Sequence, residues 1–186
     1  MSEINSTFNV GKFRSEVLGY GLARTNRFEV NIPVPVGMSG SYKSYGSLVS
    51  LFCEETNFPP LIVSTKSYKI FGPSFQRPVS AEFGGEGITM TFHVDREMLV
   101  KRFFEDWTAT IVGEDDFLLY YQDQYVVDME IKQLNEQDEI SYICKLYDAF
   151  PRSINIMALN NSAQSQTHRL TVMFAYRYWR GFLPNE

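Results

Sequence analysis

Histidine and cysteine are scarce in this chain of 186 residues, which contains only two of each. Neither His93 nor His168 has another histidine or a glutamate around it at the spacing that a metal site requires. We therefore expect both histidines to be structural or surface residues. The sequence predicts no metal site and no cofactor.

The two cysteines lie far apart, each inside an apolar stretch. Cys53 follows Leu51 and Phe52, and no helix N-terminus is predicted beside it to lower the pKa of its thiol. This setting is typical of small buried hydrophobic residues, so neither a thiol nucleophile nor a disulfide with Cys144 is expected.

A surplus of positive charge is also missing. The chain has 17 Lys and Arg against 22 Asp and Glu, a formal net charge of -5. Proteins that grip phosphate backbones by counterion release usually carry the opposite balance. Arg14, Arg24, Arg27 and Arg180 form no basic patch interleaved with aromatic residues, so binding of single strands is not expected either.

Long apolar runs and targeting signals are absent as well. No stretch approaches the roughly 20 apolar residues of a membrane-spanning helix. The segment 1–10 is polar and lacks the basic and apolar regions of a signal peptide. We expect a chain that is made in a cytoplasm and is initially soluble there.

Two short motifs resemble ligand sites but lack the residues that would complete them. Gly84-Gly85-Glu86-Gly87 has no Lys-Ser or Lys-Thr ending and precedes a predicted strand, which favours a hairpin end over a phosphate-binding loop. Glu114-Asp115-Asp116 lacks the spaced oxygens of a calcium loop and is predicted to be a solvated loop. No catalytic residue can be assigned, and the chain is predicted not to be an enzyme.

Aromatic and aliphatic residues, by contrast, are plentiful. Hydrophobic residues make up 44% of the chain, with 15 Phe and 11 Tyr, which is enough for one large core and for interfaces. The glycine-containing segment 1–25 has no sustained periodicity and is predicted to be an extended N-terminal arm. Residues 26–186 are predicted to form a single domain.

Strand patterns dominate that domain. Stretches with alternating or continuous apolar residues, bounded by turn residues, predict strands at 27–32, 48–53, 61–71, 88–94, 126–134, 140–146 and 167–179. The segment 36–47 is predicted to be a surface loop. Pro151 is predicted to interrupt the regular structure at residues 149–154.

One helix is predicted after Asp95, which is expected to cap it. Its apolar stripe is formed by Leu99, Val100, Phe103, Phe104 and Trp107. We expect the helix to end near Gly113. The fold class is therefore mainly β with one α-helix, as an antiparallel sandwich or barrel.

Three pairs of short stretches, in their order along the chain, resemble the tail tube protein family of contractile-tailed bacteriophages. They are NRFEV (26–30) with FCEETNFP (52–59), ITMTFHV (88–94) with FEDW (104–107), and LYDAFPRSI (146–154) with TVMFAYRYW (171–179). The last pair is similar to the proline-serine turn and aromatic finish of that family. The resemblance covers about residues 26–179.

This resemblance implies a structural virion protein of the phage tail, assembled in the host cytoplasm. It implies hexameric rings stacked into a hollow tube through which DNA passes without specific binding. The implied partners are further copies of the chain and the tail sheath, baseplate and tail terminator proteins. An acidic chain would then line the lumen with charge of the same sign as DNA.

The resemblance also implies two sets of contacts between subunits. A hairpin over about 62–83 would join one ring to the next, which explains why a stretch with the composition of a loop carries large apolar residues. The hairpin contacts are assigned to Ile70, Phe71, Phe75, Arg77, Val79 and Phe83. The contacts of the arm are assigned to Phe8, Phe13, Val17 and Leu18.

Several alternatives stay open at this point. The hairpin could pack on its own barrel instead of on another ring. The chain could be a baseplate-proximal tube initiator of the same fold, or the tube protein of a type VI secretion system or another contractile injection system. A stand-alone β-barrel binding module or a small hydrolase is a different class, which the lack of convergent polar residues disfavours.

Overall fold

The fold is taken from a computed structural model of the chain. It describes residues 9–38, 40, 42, 45–69, 71–83, 87–113, 117–157, 159 and 167–184, except for the side chains of residues 16 and 20. Several predictions fall outside these residues, namely those for Phe8, Ile70, the glycines at 84 and 85, and the acidic residues 114–116.

Strands make up most of the regular structure in the described part of the chain. The strands are β1 (Phe28–Asn31), β2 (Cys53–Thr56), β3 (Ile62–Tyr68), β4 (Phe75–Glu82), β5 (Ile88–His93), β6 (Val127–Leu134), β7 (Ile140–Ile154), β8 (Arg169–Ala175) and β9 (Tyr178–Phe182). The helices are α1 (Val10–Tyr20), α2 (Tyr45–Leu51), α3 (Leu99–Ala109) and α4 (Gln122–Tyr125). None of these helices is long and apolar enough to cross a membrane.

Seven of the strands form one antiparallel sheet in the order β1-β6-β7-β8-β5-β2, with β9 also pairing with β7. Strands β3 and β4 pair only with each other among the described residues and form a separate hairpin. The predicted class, a mainly β fold with antiparallel strands, is confirmed.

The long strand β7 bends the sheet into two halves. Its first half pairs with β6 and β9, and its second half pairs with β8. At the bend Asp148 has φ 53°, a left-handed conformation that aspartate tolerates better than most residues. Arg177 holds this corner, because its Nη1 donates to Asp148 Oδ2 at 3.1 Å and its backbone N donates to Tyr147 O at 2.9 Å.

Helix α3 closes the core between the two halves. Its predicted stripe is buried, with Val100, Phe103, Phe104 and Trp107 fully inaccessible to solvent. The ring of Phe104 lies 4.9 Å from that of Phe92 on β5, measured between centroids. The indole Nε1 of Trp107 donates to the carbonyl of Tyr125 at 2.8 Å, so this buried polar group is satisfied.

Asp95 is not the N-cap residue of α3, because the helix begins later than expected and its N-cap is Met98, which has φ 58° and makes no side-chain capping hydrogen bond. Asp95 still accepts hydrogen bonds from backbone N–H groups at this helix start. Asp95 Oδ1 accepts from the backbone N of Val100 at 3.1 Å, and Oδ2 accepts from that of Glu97 at 3.1 Å. The helix ends at Ala109, four residues before Gly113. At this end the backbone N of Thr110 donates to the carbonyls of Asp106 and Trp107.

The strand predicted at 48–53 is wrong. Residues 45–51 form helix α2 instead, and only Cys53 belongs to a strand. The residues that pack on the core here, Tyr45, Val49 and Phe52, are spaced by four and three positions, which is the period of a helix. The mostly apolar stretch Leu48–Cys53, which contains Ser50, concealed this spacing, and Leu51 is 82% exposed.

The extended conformation predicted for the N-terminal segment is also wrong. Asn9 caps helix α1, because its side-chain oxygen accepts from the backbone N of Lys12 at 2.6 Å. Gly21, with φ 74°, ends the helix and donates its N–H to the carbonyl of Val17 at 2.9 Å. The internal glycines that favoured an extended arm are tolerated inside the helix.

The C-terminal strand predictions need two corrections. Pro151 does not interrupt the strand, because it lies inside β7. The pairing of β7 with β8 is irregular beside Pro151, and a missing N–H is tolerated at such a position. The single strand predicted over 167–179 is two strands, β8 and β9.

Candidate assembly surfaces

The β3–β4 hairpin is the most exposed element of regular β-structure. Every residue of β4 is exposed, and in β3 only Ser64 is half-buried. A two-stranded sheet without a buried face is marginally stable in water. The hairpin therefore lacks, within the described chain, the packing that usually stabilises such an element.

Four of the predicted hairpin contact residues lie on this surface as large exposed apolar side chains. Phe71 is 94% exposed and Val79 is 62% exposed, while Phe75 and Phe83 are each more than 40% exposed. Arg77 lies on β4 beside them, with its guanidinium 5.4 Å from the centroid of the Phe75 ring. The structure thus distributes these five predicted residues along one hairpin, and their role in contacts stays a prediction.

The base of the hairpin is attached to the seven-stranded sheet. The indole Nε1 of Trp179 donates to the carbonyl of Pro60 at 3.2 Å, and its ring meets that of Phe83 edge to face at 6.4 Å. Phe58 makes a similar edge contact with Tyr142 at 5.5 Å. Because these contacts lie at the base, they fix the direction of the hairpin and leave its length exposed.

Three of the four predicted arm residues, Phe13, Val17 and Leu18, lie on helix α1. Leu18 is 86% exposed and Phe13 is 52% exposed, whereas Val17 is half-buried. The end of α1 and the turn between β6 and β7 border a cleft of about 500 Å³. An ion pair between Arg24 Nη2 and Glu136 Oε1, at 2.9 Å, joins the two sides of this cleft.

Sequence patterns did not identify the sheet edges that the topology leaves open. Within the described residues, β1 pairs only with β6, β2 only with β5, and β9 only with β7. Each strand therefore has one side without a neighbouring strand. Open edges of this kind favour pairing with another chain unless they are covered.

One face of the sheet half formed by β1, β6, β7 and β9 is charged. Its ion pairs join Glu29 Oε1 to Lys132 Nζ at 3.1 Å and Asp128 Oδ2 to Lys145 Nζ at 3.1 Å. Lys132 Nζ also lies 3.8 Å from Glu130 Oε2. Two lysines thus pair with three carboxylates on this face.

The described residues offer little for catalysis. Burial raises the pKa of the Cys53 thiol to about 12 and that of Cys144 to about 11, the opposite of what a nucleophile requires. His93 Nε2 lies 3.6 Å from Glu54 Oε2, whose other oxygen pairs with Arg169 Nη2 at 2.8 Å. These three side chains link the neighbouring strands β2, β5 and β8. No cluster of three metal-binding side chains occurs in the part of the chain described.

Solved structures with a similar fold come from contractile injection systems. A chain of the anti-feeding prophage baseplate has a TM-score of 0.60 at 15% identity, covering 87% of this chain and 95% of that chain. A chain of the sheath–tube complex of the extracellular contractile injection system PVC has a TM-score of 0.59 at 15% identity, covering 91% and 97%. A chain of the anti-feeding prophage cap has a TM-score of 0.61 at 13% identity, covering 98% and 99%.

At these identities the likeness establishes the fold. A search of curated proteins finds no match. The profile of the phage tail tube proteins matches residues 23–181, which is most of the sequence. The chain belongs to the phage tail tube protein family, a family of structural proteins, and this membership confirms the resemblance of the short stretches.

Proposed function

We propose that this chain assembles into hexameric rings, which stack into a hollow tail tube that conducts DNA into the host. The observation that carries the proposal is the β3–β4 hairpin, because it projects exposed aromatic and aliphatic side chains without a core of its own. Residues 26–186 act as one barrel domain, and residues 1–25 act as an arm that docks on a neighbour.

Stacking is assigned to the hairpin. Phe71, Phe75 and Val79 become buried when the hairpin reaches a subunit of the next ring, and Phe83 at the base completes the contact beside Trp179. Full burial of one such side chain contributes about 1.5–3 kcal/mol before the cost of association is subtracted. Several of these contacts, repeated around a ring, are sufficient to join two rings firmly.

Ring closure is assigned to the open strand edges. When β9 of one subunit pairs with β1 of the next, each contact uses two different edges of the same chain. Such a head-to-tail contact generates a ring if the rotation closes, and closure covers the open edges of β1 and β9. The exposed Leu18 and Phe13 of α1 add an apolar contact beside this seam.

The charge of the chain agrees with a channel for DNA. A net charge of -5 per subunit gives the whole ring a negative field, which keeps a polyanion mobile instead of binding it. The partners of such a tube are the sheath, the baseplate and the terminator, and its assembly takes place in the host cytoplasm.

A second candidate is a tube of an injection device other than a phage. The likeness to chains of the anti-feeding prophage and of PVC supports it, whereas the family profile supports the phage tail. A baseplate-proximal initiating ring of the same fold belongs to either system.

Negative-stain electron microscopy of the purified full-length chain tests the proposal. We expect hexagonal rings with a central hole in top views and striated tubes in side views. A field of featureless monomers at tens of micromolar, at low and high salt, would contradict both ring formation and stacking.

A further inference from the structure

The charged face of β1, β6, β7 and β9 changes sign between its two open edges. Strands β1 and β6 contribute three carboxylates and one lysine to it. The segment 143–147 of β7 and strand β9 contribute two cations, Lys145 and Arg180, and no carboxylate. The acidic side of this face therefore lies towards the β1 edge, and its basic side lies at the β9 edge.

Arg180 is the cation of this face that its own chain leaves unpaired. Lys132 pairs with Glu29 and Lys145 with Asp128, whereas no described carboxylate forms an ion pair with Arg180. Arg180 lies directly opposite Lys145, and like charges in that position destabilise a strand pair. A carboxylate from another subunit would therefore be stabilising here.

The open side of β1 has room for a further strand. A cleft of about 310 Å³ runs along all four residues of β1. The rest of its described lining comes from Ser47, Ser50 and Leu51 of α2 and from Cys53, and includes no residue of β6. The cleft thus lies on the side of β1 away from β6, and a strand that enters it would cover the exposed side chain of Leu51.

The topology fixes the direction in which two copies join at this cleft. Three antiparallel pairings separate β1 from β9, so the two edge strands run in opposite directions. The subunits of a ring are related by rotation about its axis, and this rotation does not reverse the sense of a strand along that axis. Strand β9 of one subunit and β1 of the next are therefore antiparallel.

Burial limits the register of this pair to steps of two residues. Glu29 and Asn31 are exposed on either side of the buried Val30, and Arg180 lies on their face of the sheet. A slip of one residue would turn Arg180 towards the core. A straight continuation of the rows across the sheet sets Arg180 opposite Asn31, whereas a slip of two residues sets it opposite Glu29.

We infer that β9 of one subunit pairs with β1 of a second copy in the register that sets Arg180 opposite Glu29. This register gives Arg180 its carboxylate, and it sets the phenol of Tyr178 opposite the amide of Asn31. The slip of two residues also contributes to the stagger that a closed barrel requires. The inference rests on the proposed closure of the ring and names the residues that meet there.

Disulfide trapping tests the register and leaves both charges in place. Directly opposed residues of an antiparallel pair have Cα atoms about 4.5–5.5 Å apart, within the range of a disulfide. Positions 31 and 178 of one subunit lie at least three strand spacings apart, roughly 14 Å, so a bond joins two subunits. We expect rings of Asn31→Cys/Tyr178→Cys to give, after mild oxidation, a ladder up to the covalent hexamer on a non-reducing denaturing gel.

A matched control moves one cysteine along the same face of β9. In Asn31→Cys/Phe182→Cys the two cysteines lie four residues out of register, roughly 13 Å along the strand, so this variant should run as a monomer. Both variants also carry Cys53→Ser, because Cys53 lines the same cleft. A control ladder as strong as that of Asn31→Cys/Tyr178→Cys overturns the inference.

Charge reversal tests the ion pair itself. Arg180→Glu sets two carboxylates against each other and Glu29→Arg sets two cations, so each variant alone should lose the hexamer in size-exclusion chromatography. The double variant Glu29→Arg/Arg180→Glu should recover it. Arg96→Glu makes the same change at an exposed position outside the sheet and should assemble like the wild type. An equal loss for Arg96→Glu, or no recovery in the double variant, overturns the inference.

The outcomes separate this register from the proposed function. Wild-type protein that forms no rings contradicts the proposed function and the register with it. Rings of Asn31→Cys/Tyr178→Cys that do not become cross-linked overturn the register, while the proposed function stands.

Discussion

Asp95 shows how one side chain sets the start of the helix that closes the core. Burial taken alone would raise the pKa of its carboxyl group, but the backbone N–H groups of Val100, Leu99 and Glu97 outweigh burial and lower it. A depressed pKa in the folded state means that the ionised carboxylate stabilises the fold. This contribution is present above the unfolded pKa, near 3.9, and is lost as the pH falls through the folded value.

Replacing Asp95 should therefore destabilise the protein in a pH-dependent way. We expect Asp95→Ala to lower the free energy of unfolding by about 1 kcal/mol at neutral pH. The difference from wild type, measured by urea unfolding, should shrink in acid. Glu97→Ala, at an exposed position, is the control and should have a small effect. An equal loss for Asp95→Ala at pH 7 and in strong acid would contradict this role.

The two cysteines give a second prediction at the residue scale. Because burial raises the pKa of Cys53 to about 12 and of Cys144 to about 11, both thiols stay protonated at pH 8. We expect slow labelling by a thiol reagent in the native protein and rapid labelling in urea. Since an unfolded thiol ionises near 8.5, stability should also fall as the pH rises above that value towards the folded pKa values. Cys144 is buried and Cys53 is half-buried. Rapid labelling of Cys144 in the native protein would contradict this account.

At the scale of elements, substitutions in the hairpin should affect the stacking of rings without affecting the folding of the subunit. Phe75→Asp/Val79→Asp places two carboxylates on exposed positions that no described core depends on. We expect normal thermal unfolding of the subunit and intact rings, with loss of stacking in electron micrographs. Normal elongation of tubes by this variant would refute the assignment of the hairpin to contacts between rings.

Helix α1 gives a parallel test of the arm. Leu18→Asp changes an 86% exposed side chain, so the stability of the subunit should change by less than about 0.5 kcal/mol. The yield of rings in size-exclusion chromatography should nevertheless fall. Ser15→Asp, at another exposed position of the same helix, serves as the control and should assemble normally. Equal ring yields for both variants would remove α1 from the contacts between subunits.

Elements with a clear period were the ones that the sequence predicted correctly. Thr89 and Thr91 alternate with buried residues in β5, and the stripe that ends at Trp107 follows the helical period. Around α2 the mostly apolar stretch hid a stripe formed by Tyr45 and Val49 in the helix and Phe52 directly after it. A local pattern also carries no information on strand order, so the open edges of the sheet and the bend in β7 could not be predicted.

The sequence predicted one of the candidate surfaces and missed another. An apolar stretch with the composition of a loop pointed to the hairpin, because such residues need a partner surface. The edge formed by β9 was missed, because nothing in the local sequence shows that a strand lies at an edge. The opposition of Lys145 and Arg180 likewise depends on strand register, and only the structure fixes that register.

At the scale of the whole molecule, the subunit buries one core and leaves two kinds of surface unused. The hairpin is exposed, and the edges β1 and β9 have one open side each within the described residues. Each is a liability for an isolated subunit, and each becomes a contact in the ring and stack that we propose. Membership in the phage tail tube family supports that proposal.

The mass of the assembly formed by the purified wild-type chain tests this account most directly. A subunit weighs 21.5 kDa, so we expect analytical ultracentrifugation to detect a six-subunit species of about 129 kDa together with larger multiples of that mass. A single species of 21.5 kDa at tens of micromolar, at every salt concentration, would contradict the claim that this protein works by assembly.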